Sequence, residues 1–190
     1  TIRFKVVALA RQFSIEDSSG RLLMYVKQKA FKLREDVSVY ADQAQTRVLY
    51  RINADRIIDW SARYSISDES GAEIGAIKQQ GMRSIWRTRY DIFRGDRVVF
   101  EVREENPWAK VGDSFLGEIP ILGFFAGYLF HPKYLISTAE GAPVLRATKQ
   151  PALFEGKFRI ERLETPLIAE DERLLVIGAL TTVLLEKNRG

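Results

Sequence analysis

Six cations crowd the stretch between residues 76 and 97. Lys78, Arg83, Arg87, Arg89, Arg94 and Arg97 stand there against only Asp91 and Asp96. That excess equals the whole formal charge of +4, so the other 23 cations and 23 acids of the chain cancel. Read as a strand, Arg83, Ile85, Arg87 and Arg89 share one face while Ser84, Trp86, Thr88 and Tyr90 share the other. A basic outer stripe backed by an aromatic inner face follows. Lys27, Lys29, Lys32 and Arg34 form a second cluster without an intervening acid. Guanidinium forks and ammonium groups so placed suit phosphate chemistry, because arginine binds an oxyanion bidentately. The candidate ligand-binding residues are therefore Lys27, Lys29, Lys78, Arg83, Arg87 and Arg89. The plainer alternative is a solvated strand face whose charges discourage edge pairing. Nucleic acid is disfavoured: a single-strand binder interleaves exposed aromatics with its cations, and +4 is small for duplex binding.

Catalytic chemistry finds little to use. His131 is the one histidine of 190 residues and cysteine is absent. Thiolate metal sites, disulfides and cysteine nucleophiles are thereby excluded. No Ser/Asp arrangement places a triad around His131. Asp55 and Asp59, four apart on a strand, would lie about 13 Å from each other, too far for paired carboxylate work. Trp60, Trp86 and Trp108 suit a core or barrel rim better than a ligand platform. Gly-rich phosphate loops of the nucleotide-binding types do not occur. The expectation is a non-enzymatic binding protein with no metal and no cofactor.

The elements that must carry these side chains are mostly strands. Phe13-Ser-Ile15-Glu-Asp17-Ser-Ser-Gly20 recurs as Tyr64-Ser-Ile66-Ser-Asp68-Glu-Ser-Gly71 and as Tyr134-Leu-Ile136-Ser-Thr138-Ala-Glu-Gly141. An aromatic and Ile two apart share a strand face, and the Asp/Thr-x-x-Gly step is turn chemistry. Tyr90-Asp-Ile92-Phe-Arg-Gly95 is a shorter fourth copy. Further alternation covers 37–40, 48–52, 57–64, 98–102 and 154–163. About ten to twelve strands precede residue 165, an antiparallel meander long enough to close into a barrel. With no Pro/Gly/Ser-rich linker, residues 1–190 read as a single domain.

The C-terminal segment breaks that pattern. Thr165-Pro166 has the form of an N-cap and first helical residue. Glu170, Asp171 and Glu172 suit the positive end of a helix, and Lys187 and Arg189 its negative end. From Leu174 to Leu185 the segment is apolar all round, so something must surround it. Twelve helical residues span about 18 Å against a hydrocarbon core of about 30 Å, so no transmembrane span is expected. The sheet must then enclose it. The fold class is mainly β: an antiparallel closed β-barrel of about twelve strands wrapped around a hydrophobic C-terminal α-helix.

Phe115 to Phe130, reading FLGEIPILGFFAGYLF, is a second apolar stretch. It reads as a plug for one barrel end, or, if exposed, as a surface for a protein partner or membrane.

Tyr25-Val-Lys27-Gln-Lys29-Ala-Phe31-Lys-Leu33 resembles the opening motif of the LURP-one-related proteins of the tubby-like superfamily. Ile66-Ser-Asp68-Glu-Ser-Gly71-Ala-Glu-Ile74-Gly75, Tyr90-Asp-Ile92 and Gly127-Tyr-Leu-Phe-His-Pro-Lys-Tyr134 are similar to the same family, over roughly residues 20–187. The resemblance implies a twelve-stranded barrel around a central helix and, through tubby-like domains, phosphoinositide binding. Phospholipid scramblases are similar in fold. This chain lacks cysteines for palmitoylation and a D-x-D calcium loop, which argues against scrambling. The expected role is a module that binds anionic phospholipid, or another phosphate-bearing ligand, through the basic stripe. A protein-interaction scaffold or scramblase-like lipid handling is the alternative. The expected location is cytoplasmic, with peripheral contact at a membrane surface.

Overall fold

A computed structural model of the chain describes residues 3–9, 12–27, 37–54, 63–80, 89–105, 133–150 and 156–187. Its strands are β1 (Arg3–Leu9), β2 (Gln12–Glu16), β3 (Leu22–Lys27), β4 (Val37–Tyr40), β5 (Val48–Ala54) and β6 (Arg63–Asp68). They continue as β7 (Glu73–Gln79), β8 (Arg89–Arg94), β9 (Arg97–Glu105), β10 (Lys133–Thr138), β11 (Pro143–Gln150) and β12 (Gly156–Arg162), followed by one helix, α1 (Ala169–Lys187).

The repeated turn signature makes its hairpins as its residue types require. Asp17 Oδ1 accepts from the backbone N–H groups of Ser19 at 2.9 Å and Arg21 at 3.0 Å. Asp68 Oδ1 does the same for Ser70 at 2.9 Å and Ala72 at 3.1 Å. Thr138 plays the part with its hydroxyl, accepting from Ala142 N at 3.3 Å. Each turn then closes through a glycine with φ between 84° and 92°, namely Gly20, Gly71 and Gly141. A side-chain acceptor three residues ahead of a left-handed glycine is what lets these tight turns satisfy their own backbone.

Every ladder is antiparallel, and each strand from β2 to β12 pairs with its sequence neighbours. β1 pairs with β2 on one side and with β12 on the other, through Phe4↔Ile160 and Val6↔Phe158, so the strand order is that of a closed barrel. Among the described strands no edge is left over to recruit an extended partner. Inward rows are apolar: Phe13, Val26, Val39 and Tyr50 follow one another across β2 to β5 in register, all buried.

α1 completes that core. Leu174, Leu175, Ile177, Leu180, Val183 and Leu184 are all buried in one apolar cluster with the inward strand residues. Apolar burial on every side of a helix requires neighbours on every side. The two buried threonines do not break the rule, because each hydroxyl donates within the helix. Thr181 Oγ1 bonds Ile177 O at 2.7 Å and Thr182 Oγ1 bonds Gly178 O at 3.0 Å. An alcohol satisfied in this way adds little cost to an apolar interior.

Two sequence expectations are corrected at the helix entrance. Thr165 is not the N-cap: its hydroxyl donates to Pro143 O at 2.6 Å, tying the connector to β11. The helix starts at Ala169, and its first intrahelical bond runs from Glu172 N to Ile168 O at 3.1 Å. Pro166 accordingly lies in the connector rather than at the first helical position.

Three consecutive residues then fasten the helix start to three separated strands. Asp171 accepts a hydrogen bond from Arg94 on β8, and Glu172 pairs with Arg162 on β12. Arg173 lies over the Tyr50 ring of β5 at 5.9 Å. Successive helical residues point about 100° apart, and these three strands stand well apart around the barrel order. The helix start is thereby tied to strands on several sides of the sheet.

Candidate functional site

Four cations of the basic window, Lys78, Arg89, Arg94 and Arg97, lie among the described residues, and each faces an acid. Arg89 on β8 donates from Nη2 to Glu101 Oε1 on β9 at 2.8 Å, and its Nε lies 3.5 Å from Asp91 Oδ1. Arg94 is engaged by Asp171, and Arg97 lies 3.7 Å from Glu140. Lys78 stands directly across from Asp91 in the β7–β8 register. The fold thus delivers to Arg89, Arg94 and Arg97 acids from outside the window, Glu101, Asp171 and Glu140. Lys27 is not gathered with them either: β4, β5 and β6 intervene between β3 and β7. Lys29, Arg83 and Arg87 lie outside the described residues. So do His131, Asp55, Asp59, the three tryptophans and residues 115–130.

A different cationic face is assembled by register. Tyr134, Ala147 and Ile160 are buried, so their neighbours Lys133, Thr148 and Arg159 take the outer face of β10, β11 and β12. These three are consecutive places in one cross-strand row, which continues onto Lys5 of β1. At about 4.8 Å per strand, Lys133 and Arg159 straddle the Thr148 hydroxyl with roughly 10 Å between their strands. Both cations are exposed, and among the described residues neither has an ion-pair partner. Glu105, opposite Lys133 in register, instead accepts from Arg146 Nη2 at 3.1 Å. Arg159 stands across from position 5 in the β12–β1 register.

Beside this row lies a forked cluster. Glu101 accepts from Arg89 with Oε1 and from Arg103 with Oε2, so one carboxylate holds two guanidinium groups. Arg89 and Arg103 are direct cross-strand partners, and Glu101 is what lets them sit together. Beneath them Asp91 is 4% exposed although it points to the outer face, beside the inward Tyr90 and Ile92. Gln80 Nε2 donates to its Oδ2, while its Oδ1 and the neighbouring Arg89 Nε are buried without a hydrogen bond.

Charge is also sorted along the barrel. The described hairpin turns and the helix start occupy one end, with exposed Glu69, Asp96, Glu140, Glu164 and Glu170. Lys27, Lys78, Arg89, Arg103, Lys133 and Lys149 sit towards the opposite ends of their strands. The turn carboxylates of the acidic end are structural. The Ser19 hydroxyl leads the hydrogen bonds that hold Asp17 down to a pKa of about 2. Hydrogen bonds headed by the Thr46 and Ser70 hydroxyls depress Asp42 and Asp68. Acids held ionised by their own backbone are poor proton donors at neutral pH. Among the described residues, no three His, Asp or Glu groups come together to hold a metal ion. No described helix is long and apolar enough to cross a membrane.

Charge counting along the chain misses the row on β10 to β12 because its members are scattered over residues 133–159. The signal that could find it is register: each cation lies one residue away from an aromatic or apolar core position in an alternating strand.

A family model described as LURP-one-related matches residues 22–120. No curated protein sequence matches the chain. Among solved structures, the X-ray structure of a protein from Arabidopsis thaliana is similar with a TM-score of 0.54 and 15% identity, over 98% of this chain and 91% of that one. At that identity the likeness is one of fold.

Proposed function

The chain belongs to the LURP-one-related family, and from that footing we propose that it is a non-enzymatic module docking an anionic, phosphate-bearing ligand on the outer face of β8 to β12. The observation that carries this reading is the row of Lys133, Thr148 and Arg159, in which two exposed cations without acid partners among the described residues flank a hydroxyl. Ammonium, hydroxyl and guanidinium donors in a line suit several phosphate oxygens at once. The face lies on the outside of a sheet and is open, which suits the head groups of an anionic membrane surface, where each cation contributes about 1 kcal/mol. Arg89 from the sequence reading stays in the site at its margin, and Lys78 lies one strand further out.

The closed strand order and the three-strand anchorage of α1 support reading the fold as a tubby-like barrel around its helix. In that arrangement the helix is spent on stability, and the outer face is the part free to bind. Peripheral attachment from the cytoplasmic side is the location this reading entails.

Co-sedimentation with phosphatidylcholine vesicles, with and without phosphatidic acid, tests it. The expected result is binding only to the anionic vesicles, weakening as salt rises. Equal partition onto both vesicle types would refute it.

A further inference from the structure

We propose that Glu101 is an internal stand-in for a phosphate monoester, occupying a two-arginine site that the ligand takes over. Glu101 presents one oxygen to Arg89 at 2.8 Å and the other to Arg103, as two oxygens of a phosphate would. The arginines are accessible from outside, with 43% and 63% of their side chains exposed, whereas Glu101 is 21% exposed. Arg89 is braced from below by Asp91, so its guanidinium keeps its place when Glu101 leaves. Lys133 stands one strand beyond Arg103 in the β9–β10 pairing, opposite Glu105, and extends the same surface.

This inference rests on the reading of the β8 to β12 face as an anion-binding surface. It adds a mechanism: binding is an exchange in which a dianion displaces a carboxylate from a preformed fork. A monoester dianion carries more charge and more oxygens than the carboxylate it replaces, so exchange favours it over a diester monoanion. It also predicts that the wild-type site is held below its full affinity by its own glutamate.

Three proteins decide the matter: the wild type, Glu101→Gln, and Glu164→Gln, the last being the same charge change at the acidic end. Each is titrated with phosphatidic acid vesicles and, separately, with soluble glycerol phosphate, which distinguishes a lipid surface from a free ester. Glu101→Gln should bind roughly tenfold tighter than wild type, since a like-charged competitor is removed, while Glu164→Gln stays within about twofold. Adding Arg89→Ala to Glu101→Gln should abolish the gain. Should Glu101→Gln not fold, Glu101→Asp, which withdraws the carboxylate by one methylene, should show a smaller gain of the same sign. Affinity unchanged or weaker in the folded Glu101 variant, with wild-type binding still dependent on Lys133 and Arg159, overturns the exchange and leaves the docking surface standing. Failure of every protein to bind either probe overturns both.

Discussion

Gly75 on β7 lies directly against Leu174 of the helix: a Cβ at position 75 would come within 2.5 Å of Leu174 Cδ1 and 2.5 Å of the Phe93 carbonyl oxygen. The sheet wall and the helix therefore meet at a position where only hydrogen fits. Gly178 makes the reciprocal approach from the helix side, where a Cβ would lie 2.6 Å from Ile92 Cδ1.

The two glycines should respond differently to alanine. At Gly75 one obstacle is a backbone carbonyl, which cannot rotate away, so Gly75→Ala should cost about 1–3 kcal/mol. At Gly178 the obstacle is the end of an Ile92 side chain, and alanine recovers up to about 1 kcal/mol of helix propensity. Gly178→Ala should be nearly neutral. Urea unfolding of both variants checks the order, and a reversed order would mean the helix does not sit against β7 and β8 as described.

A charge on the helix should unfold the barrel. Ile177 is fully buried and Leu175 nearly so, and a carboxylate at either site would be buried without a partner. Leu175→Asp and Ile177→Asp should lose the cooperative thermal transition, whereas Ile177→Val should cost about 0.5–1.5 kcal/mol. A folded Asp variant would place the helix outside the sheet.

Acid should weaken the hairpin turns in a defined window. Asp17, Asp42 and Asp68 have folded pKa values below the ordinary carboxylate range because hydroxyl and backbone donors favour the charged form. Their contribution is complete above the unfolded-state pKa near 4 and is lost as pH falls through the folded values, which for Asp17 means towards about 2. Denaturant midpoints should be flat with respect to these groups at neutral pH and drop below about pH 4. Asp17→Asn should flatten part of that drop, and an unaltered acid limb would count against the turn account.

The parts of the fold legible in sequence were those built from local chemistry. Asp17, Asp68 and Thr138 announce their turns because acceptor and glycine lie within four residues of each other. The helix is legible because nothing polar larger than threonine interrupts residues 174–185. β1 is the strand no turn signature announces, though it pairs with both β2 and β12. The site is where sequence reading runs short. Arg94 finds its acid 77 residues away at Asp171, and Arg146 finds Glu105 at a separation of 41. A window of 22 residues cannot contain such partners, so the acids that face Arg94 and Arg97 are invisible to a charge count along the chain. The face of Lys133 and Arg159 is hidden for the converse reason, since only the ladder register makes them neighbours.

The central claim is that one face, and not net charge, binds the anion. Lys133→Ala/Arg159→Ala and Lys27→Ala/Arg51→Ala each remove two exposed cations, from β10 and β12 in the first case and from β3 and β5 in the second. Dissociation constants of the two double variants for phosphatidic acid vesicles at one salt concentration decide it. At about 1 kcal/mol per cation, the first pair should lose roughly thirtyfold in affinity and the second less than about threefold. Equal losses, or a larger loss from Lys27 and Arg51, would contradict the account.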